Sequence, residues 1–268
     1  MAGLGGGFAP VEEPDFVAAL FGKVSGKEAR SILVQGRRDM GWSSTSAYGD
    51  VANYLDTSQP RINDVVLGTT YYLRSSSASD AAAGTGARTV RIYYLDGSGV
   101  LQAMTATLNG TTGVSLGNAI SYIEAAEVAS VGSTEAAVGN ITISSVAGAP
   151  TTAQTVEFIP ANETQSRSAR YKIPTGFDGY LHTWAVSAIG QSQDMVLRAK
   201  VFTGDRTPST VFHAQDATFL PGNTSGGELT LHWVKCPEGT EIKVSSIPGA
   251  AGAGNRADVT VHLLLVER

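Results

Sequence analysis

The chain has a single cysteine, Cys236, among 268 residues. An intrachain disulfide is therefore excluded, as is a zinc site built from the cysteines of one chain. Beside Pro237, at the end of an expected strand, Cys236 reads as a small buried hydrophobe. Histidine is nearly as scarce. His182, His213, His232 and His262 each fall in an expected strand, and neither H-x-H nor H-E-x-x-H spacing occurs. No metal and no cofactor are expected. Charged residues make up only 16%, against about 25% in ordinary globular chains. The formal charge is −5, and the first 60 residues hold five basic against seven acidic side chains. Nucleic-acid binding, which needs a concentrated basic face, is not expected. No apolar run approaches the ~18 residues of a membrane helix, so no membrane insertion is expected. The opening MAGLGGGFAP lacks the charged and apolar regions of a secretory leader, which leads to the expectation of a soluble chain made in a cytoplasm.

Glycine, alanine, serine and threonine fill the place of the missing charge, a balance that suits short strands joined by tight turns. Residues 1–30 differ from the rest. GLGGG is followed by EEPDFVAALFGKV, which reads as a short amphipathic helix with Pro14 in its first turn and Glu12, Glu13 and Asp15 at its N-terminal end. Phe16, Ala19 and Leu20 share one face, and Gly22 would end the helix. A short helix between glycines has too little apolar face to be stable alone. It is expected to dock on the body or on another subunit through Phe8, Phe16, Leu20 and Phe21.

From Ser31 onward the pattern is almost entirely β. Strands are expected at 31–37, 64–74, 88–95, 100–108, 120–130 and 140–145. After AGAPTTAQ (147–154) they follow at 155–160, 168–173, 179–188, 194–203, 209–216, 227–236, 240–246 and 257–267. The last eight, separated by clusters such as PTGFDG and LPGNTSGG, suggest a jelly roll. Val259, Val261, Leu263 and Leu265 alternate with polar neighbours and form an inner row. The expected organisation is an all-β chain: a docking arm (1–30), an N-terminal β-sandwich module (31–150) and a C-terminal, eight-stranded jelly-roll-like sandwich (151–268).

Two glycine-rich loops invite a functional reading, Gly84-Thr85-Gly86 and Asp96-Gly97-Ser98-Gly99. A calcium loop needs several alternating carboxylates, and only Asp96 is present. GTGAR precedes a strand rather than opening a helix, so the phosphate-cradle geometry is missing. Both loops, and Asn109-Gly110, read as chain reversals, with Asp96-Gly97 supplying the positive φ of a tight turn. No G-x-S-x-G elbow occurs. Glu124 and Glu127, three apart on one strand, are expected on opposite faces and so not as a catalytic pair. Trp184 and Trp233 lie between apolar neighbours and read as core. No catalytic residue is expected, and the chain reads as a non-enzyme.

The phrases SSSASDAAAGTGARTVRIYYLD, TATLNGTTGVSL, AEVASVGSTEAAVGNITI, SARYKIPTGFDGYLHTW and TEIKVSS…DVTVHLLLVER occur together over residues 65–268. In them the chain resembles a family of structural proteins of tailed bacteriophages, many from aquatic phages. The resemblance implies a virion component assembled in the host cytoplasm and offers no catalytic residues. It implies a tail- or neck-associated appendage anchored by the N-terminal arm. Its expected partners are copies of itself, as a trimer or ring, and other virion proteins. The alternatives are a capsid decoration protein and a carbohydrate-binding module for host-surface glycans, with Phe177, Tyr180 and Trp184 as the contacts. A sandwich-type glycan hydrolase or lyase is the third class.

Overall fold

The computed structural model describes residues 29–39, 49–50, 63–189, 195–203, 213–220, 227–248 and 256–268. The expected N-terminal helix, with Phe8, Phe16, Leu20 and Phe21, lies outside the described residues. Within them the chain is β throughout, apart from one 3-10 turn at Thr152–Gln154. Two strands come first, β1 (Ala29–Asp39) and the short β2 (Gly49–Asp50). Seven follow: β3 (Tyr71–Ser75), β4 (Ala87–Asp96), β5 (Leu101–Thr107), β6 (Val114–Gly117), β7 (Ile120–Val131), β8 (Ile141–Ser144) and β9 (Thr155–Ile159). The last are β10 (Arg170–Lys172), β11 (Phe177–Ile189), β12 (Met195–Thr203), β13 (His213–Leu220), β14 (Gly227–Cys236), β15 (Thr240–Pro248) and β16 (Arg256–Glu267).

Their pairing defines two modules. One sheet runs β1-β16-β11-β14, and a second runs β10-β15-β12-β13. β2 also pairs with β15, at Ser245 and Ser246, while β10 pairs with the same strand at Glu241 to Lys243. β2 and β10 are therefore two pieces of one edge strand. Two antiparallel four-stranded sheets in these orders make a jelly roll. The expected inner row is present: Val259, Val261, Leu263 and Leu265 are each at most 2% exposed. They pack with Val34, Ile173, Leu181, Ile242 and Val244. Each such side chain contributes roughly 1.5–3 kcal/mol on burial. Cys236 is buried in this core, and burial pushes its thiol up to about 12.

The other seven strands are inserted between β2 and β10. They form the sheets β6-β3-β8-β9 and β5-β4-β7 around a separate core of Leu73, Ile92, Ile120, Ile123, Ile141 and Ile143. These partners group the chain differently from a division at residue 150. β1 joins the C-terminal strands through the full length of β16. β9, expected among the last eight strands, instead pairs with β8 across the proposed seam. The two ends of the insert meet. The Asn63 amide donates to the carbonyls of Thr152 and Thr155 at 2.6 and 2.7 Å, and Arg170 Nη1 donates to Asn63 O at 3.4 Å.

Both glycine-rich loops turn the chain, but not as the dipeptides suggest. In the β4–β5 hairpin the residue at positive φ is Gly99 (+75°), not Gly97. Asp96 accepts from the Ser98 and Val100 amides, and Gly99 N donates to Asp96 O. This is a turn followed by a left-handed glycine, the geometry of a bulged hairpin loop. Gly84-Thr85-Gly86 instead wraps a buried carboxylate, Asp80. Its oxygens accept from Ser75 Oγ and from the amides of Ala87, Val138 and Gly139 at 2.6–2.9 Å.

Candidate functional site

Where the modules meet, a cleft of about 310 Å3 opens between β1 and β7. Consecutive residues line it on both sides, Ser31 to Gln35 of β1 and Glu124 to Glu127 of β7. Neighbours along a strand face opposite sides of the sheet. A wall made of consecutive residues is therefore a strand edge. Both strands stand at the edges of their sheets. The edge of β7 is partly covered by residues 164–166: Val128 N donates to Thr164 O, and Ser166 N to Ala126 O. Gln165 then reaches across, its Nε2 donating to Gln35 Oε1 at 2.9 Å.

Glu124 and Glu127 both line this cleft, and a bulge breaks the alternation that would put them on opposite faces. The β4–β7 register slips between Ile123 and Ala125, so Glu124 is the extra residue of a bulge. A bulge resets the alternation, and two residues three apart come to one side. Glu127 accepts from the Tyr93 hydroxyl at 2.9 Å. Glu124 is 6% exposed and accepts from the Lys172 amide at 3.2–3.3 Å. Burial holds its carboxyl well above the ordinary range; Glu241 adds to the shift, while the Lys172 amide and Arg170 oppose it. Tyr171, 5% exposed, also lines the cleft, and its hydroxyl, itself buried, has no hydrogen-bond partner among the described residues. Burial, then Glu124, pushes that phenol up; Arg30 opposes.

Behind the cleft lies a buried polar cluster that joins the modules. Arg170 (4% exposed) donates to Val156 O at 2.9 Å and lies 3.5 Å from the Glu157 carboxylate. Its guanidinium also stacks over the Tyr122 ring at 5.2 Å. Tyr122 in turn donates to Glu241 of the jelly roll at 3.1 Å. Glu157 is held further by Ser168 Oγ and the Phe158 amide. Burial pushes the Glu157 carboxyl up, with Arg170 as the main opposing charge. Sequence reading missed this cluster. Its signal was a lone acid inside the apolar TVEFI and a lone arginine inside SARYK.

The residues expected to touch glycans lie elsewhere, on β11. Tyr180 is 6% exposed, with the Lys235 ammonium 5.9 Å from its ring centroid. Phe177 packs against the jelly-roll core, and the Arg30 guanidinium lies 5.5 Å from its ring centroid. Trp184 pairs with Leu229 and Val261 through its backbone; its side chain lies outside the described set. Neither Phe177 nor Tyr180 lines the cleft. Among the described residues no group of three or more His, Cys, Asp or Glu could hold a metal ion.

No protein-family model and no curated protein matches the chain. Among solved structures, the VP2 subviral particle of infectious bursal disease virus is 12% identical, covers 90% of this chain and 75% of its own, and gives a TM-score of 0.19. A protein described as secreted, from Parabacteroides distasonis ATCC 8503, is 12% identical over 98% of this chain and 97% of its own, with a TM-score of 0.21. Scores of this size carry no weight for function.

Proposed function

We propose that this chain is a non-enzymatic structural protein of a tailed-bacteriophage virion, a tail- or neck-associated appendage held to the particle by its first 28 residues. The observation that supports this best is the way the chain is divided. A jelly roll takes β1, the strand that directly follows the N-terminal segment, as an edge of one sheet. An edge strand is a natural place to tether a docking segment, since its outer side remains free for pairing. A second β module is carried in the opposite edge strand of the other sheet. This is a base with an attached module. The resemblance of its sequence phrases to those of phage structural proteins supports the same reading.

The test is mass spectrometry of purified particles of the phage that encodes the chain, with copies counted against the major capsid protein. A few copies per particle are expected. Hundreds of copies would instead identify a capsid decoration protein, and absence from the particle would overturn the virion reading. Removing residues 1–28 is expected to abolish incorporation while leaving the β body folded.

A further inference from the structure

We infer that β5 is the surface through which two copies of this chain pair, edge to edge and antiparallel about a two-fold axis. The inference does not rest on the virion reading. An exposed row of amides and carbonyls invites another strand, so native sheets protect their edges with charge, proline, bulges, brevity or a cover. Every other described edge here has such a device. β1, β9, β10, β13 and β14 carry charged residues. β2 and β6 are only two and four residues long, and β7 is partly covered by residues 164–166. β5 has none of these. Its sequence, LQAMTAT, holds no charge and no proline, and all seven residues pair with β4 without a bulge. Among the described residues its backbone bonds to β4 alone. Gln102, Ala103, Thr105 and Thr107 are exposed.

Symmetry selects the occupant. Pairing all seven residues with a second copy puts the axis at Met104, so that Leu101 faces the copy's Thr107, Gln102 its Ala106 and Ala103 its Thr105. A two-fold axis sets a strand against its own mirror image, and like charges directly opposite repel. The same operation on β1 would set Arg30 against Arg38. On β5 it brings no charges together. Met104 and Ala106 pack against the insert core, and two Met104 side chains meeting at the axis would carry that core across the junction. The product is a six-stranded sheet with β7 at both ends, where residues 164–166 limit further growth. Seven residues a side is well below the ~20–30 of a standard interface, so the dimer is weak, with a Kd on the order of 100 μM.

The test is sedimentation equilibrium of the full chain from roughly 10 μM to 1 mM, with amide hydrogen exchange read at residues 101–107. The mass is expected to rise from monomer to dimer as exchange in β5 slows. Arg91 stands opposite Thr105 on β4, so Thr105→Glu gains a partner within its own chain and should keep its melting temperature. Between copies it brings two carboxylates together beside the axis, and is expected to weaken the dimer on the order of tenfold. Ala103→Lys is expected to do the same. Mixing the two variants sets the new ammonium against the new carboxylate and should restore pairing. Four results would overturn the proposal: a monomer up to about 1 mM, a dimer that both variants leave intact, a mixture no tighter than the separate variants, or protection of residues 101–107 only in assembled particles, which would give this edge to a different chain.

Discussion

Asp80 has its two oxygens satisfied by one hydroxyl and three backbone amides from sequence-distant loops. Asp80→Ala would leave those buried amides without an acceptor, at a cost of about 3 kcal/mol or more. Asp80→Asn keeps one acceptor oxygen and is expected to cost less; urea denaturation of both variants measures the difference. The sequence marked this site only indirectly. Asp80 sits in SSSASDAAAG, where no apolar period identifies a buried position. Gly86 did mark a close approach, since a Cβ there would come 2.0 Å from Asp80 Oδ1. The glycines were legible as structural; the carboxylate they admit was not. Glu124 was misplaced for a related reason, because a bulge leaves no trace in a two-residue period. Its raised carboxyl has a measurable consequence. Above its ordinary value of 4.5, the folded chain holds this proton more tightly than the unfolded chain does. Its contribution to stability therefore falls as pH rises from there through the folded value. Asp96, half-buried, and Glu238, exposed, are both lowered by hydrogen bonds from backbone amides; they act oppositely and lose their contribution as the medium becomes acidic. Denaturant unfolding at roughly pH 5 and pH 7 is expected to show a smaller decline for Glu124→Gln than for the parent chain. Equal declines would contradict the assignment.

Strands were more legible than their partners. Local alternation placed Gly227–Cys236 at its observed bounds and identified the inner row of β16. The run at 64–74 was read as one strand, yet only Tyr71–Ser75 forms one. A turn closes before it, with Thr69 N on Val66 O and Gly68 at φ +88°. Which strands pair is a non-local property, and so β1 was assigned to the wrong neighbours. That strand carries the element-scale prediction. Removing residues 1–28 is expected to leave thermal unfolding unchanged. Removing residues 1–39 strips β16 of its edge partner and takes Val34 from the core, so cooperative unfolding of the jelly roll should be lost. Calorimetry of the two truncations distinguishes them. Within the core, Leu263→Ala is expected to cost about 2–5 kcal/mol.

At the scale of the whole molecule, the insert has its own core and its ends lie together around Asn63. Residues 63–168 expressed alone are therefore expected to fold. Excision removes Arg170 and leaves the Glu157 carboxylate, 0% exposed in the intact chain, without its guanidinium partner. Losing one side of a buried pair is worse than losing both. Glu157→Gln should thus raise the melting temperature of the isolated insert, and lower or leave unchanged that of the full chain. Thermal melts of the four proteins check the crossover.

The pairing of β1 with β16 also sets a timetable. Ala29 lies opposite Val266, so the first described strand waits for a partner made only after the whole insert. Contacts this distant along the chain form slowly, and domains fold as units while the ribosome is still at work. The insert emerges complete long before that partner exists. It folds first, as a finished piece held between two halves of an open sandwich. A ribosome stalled near residue 200 would display a structured insert on an unclosed base.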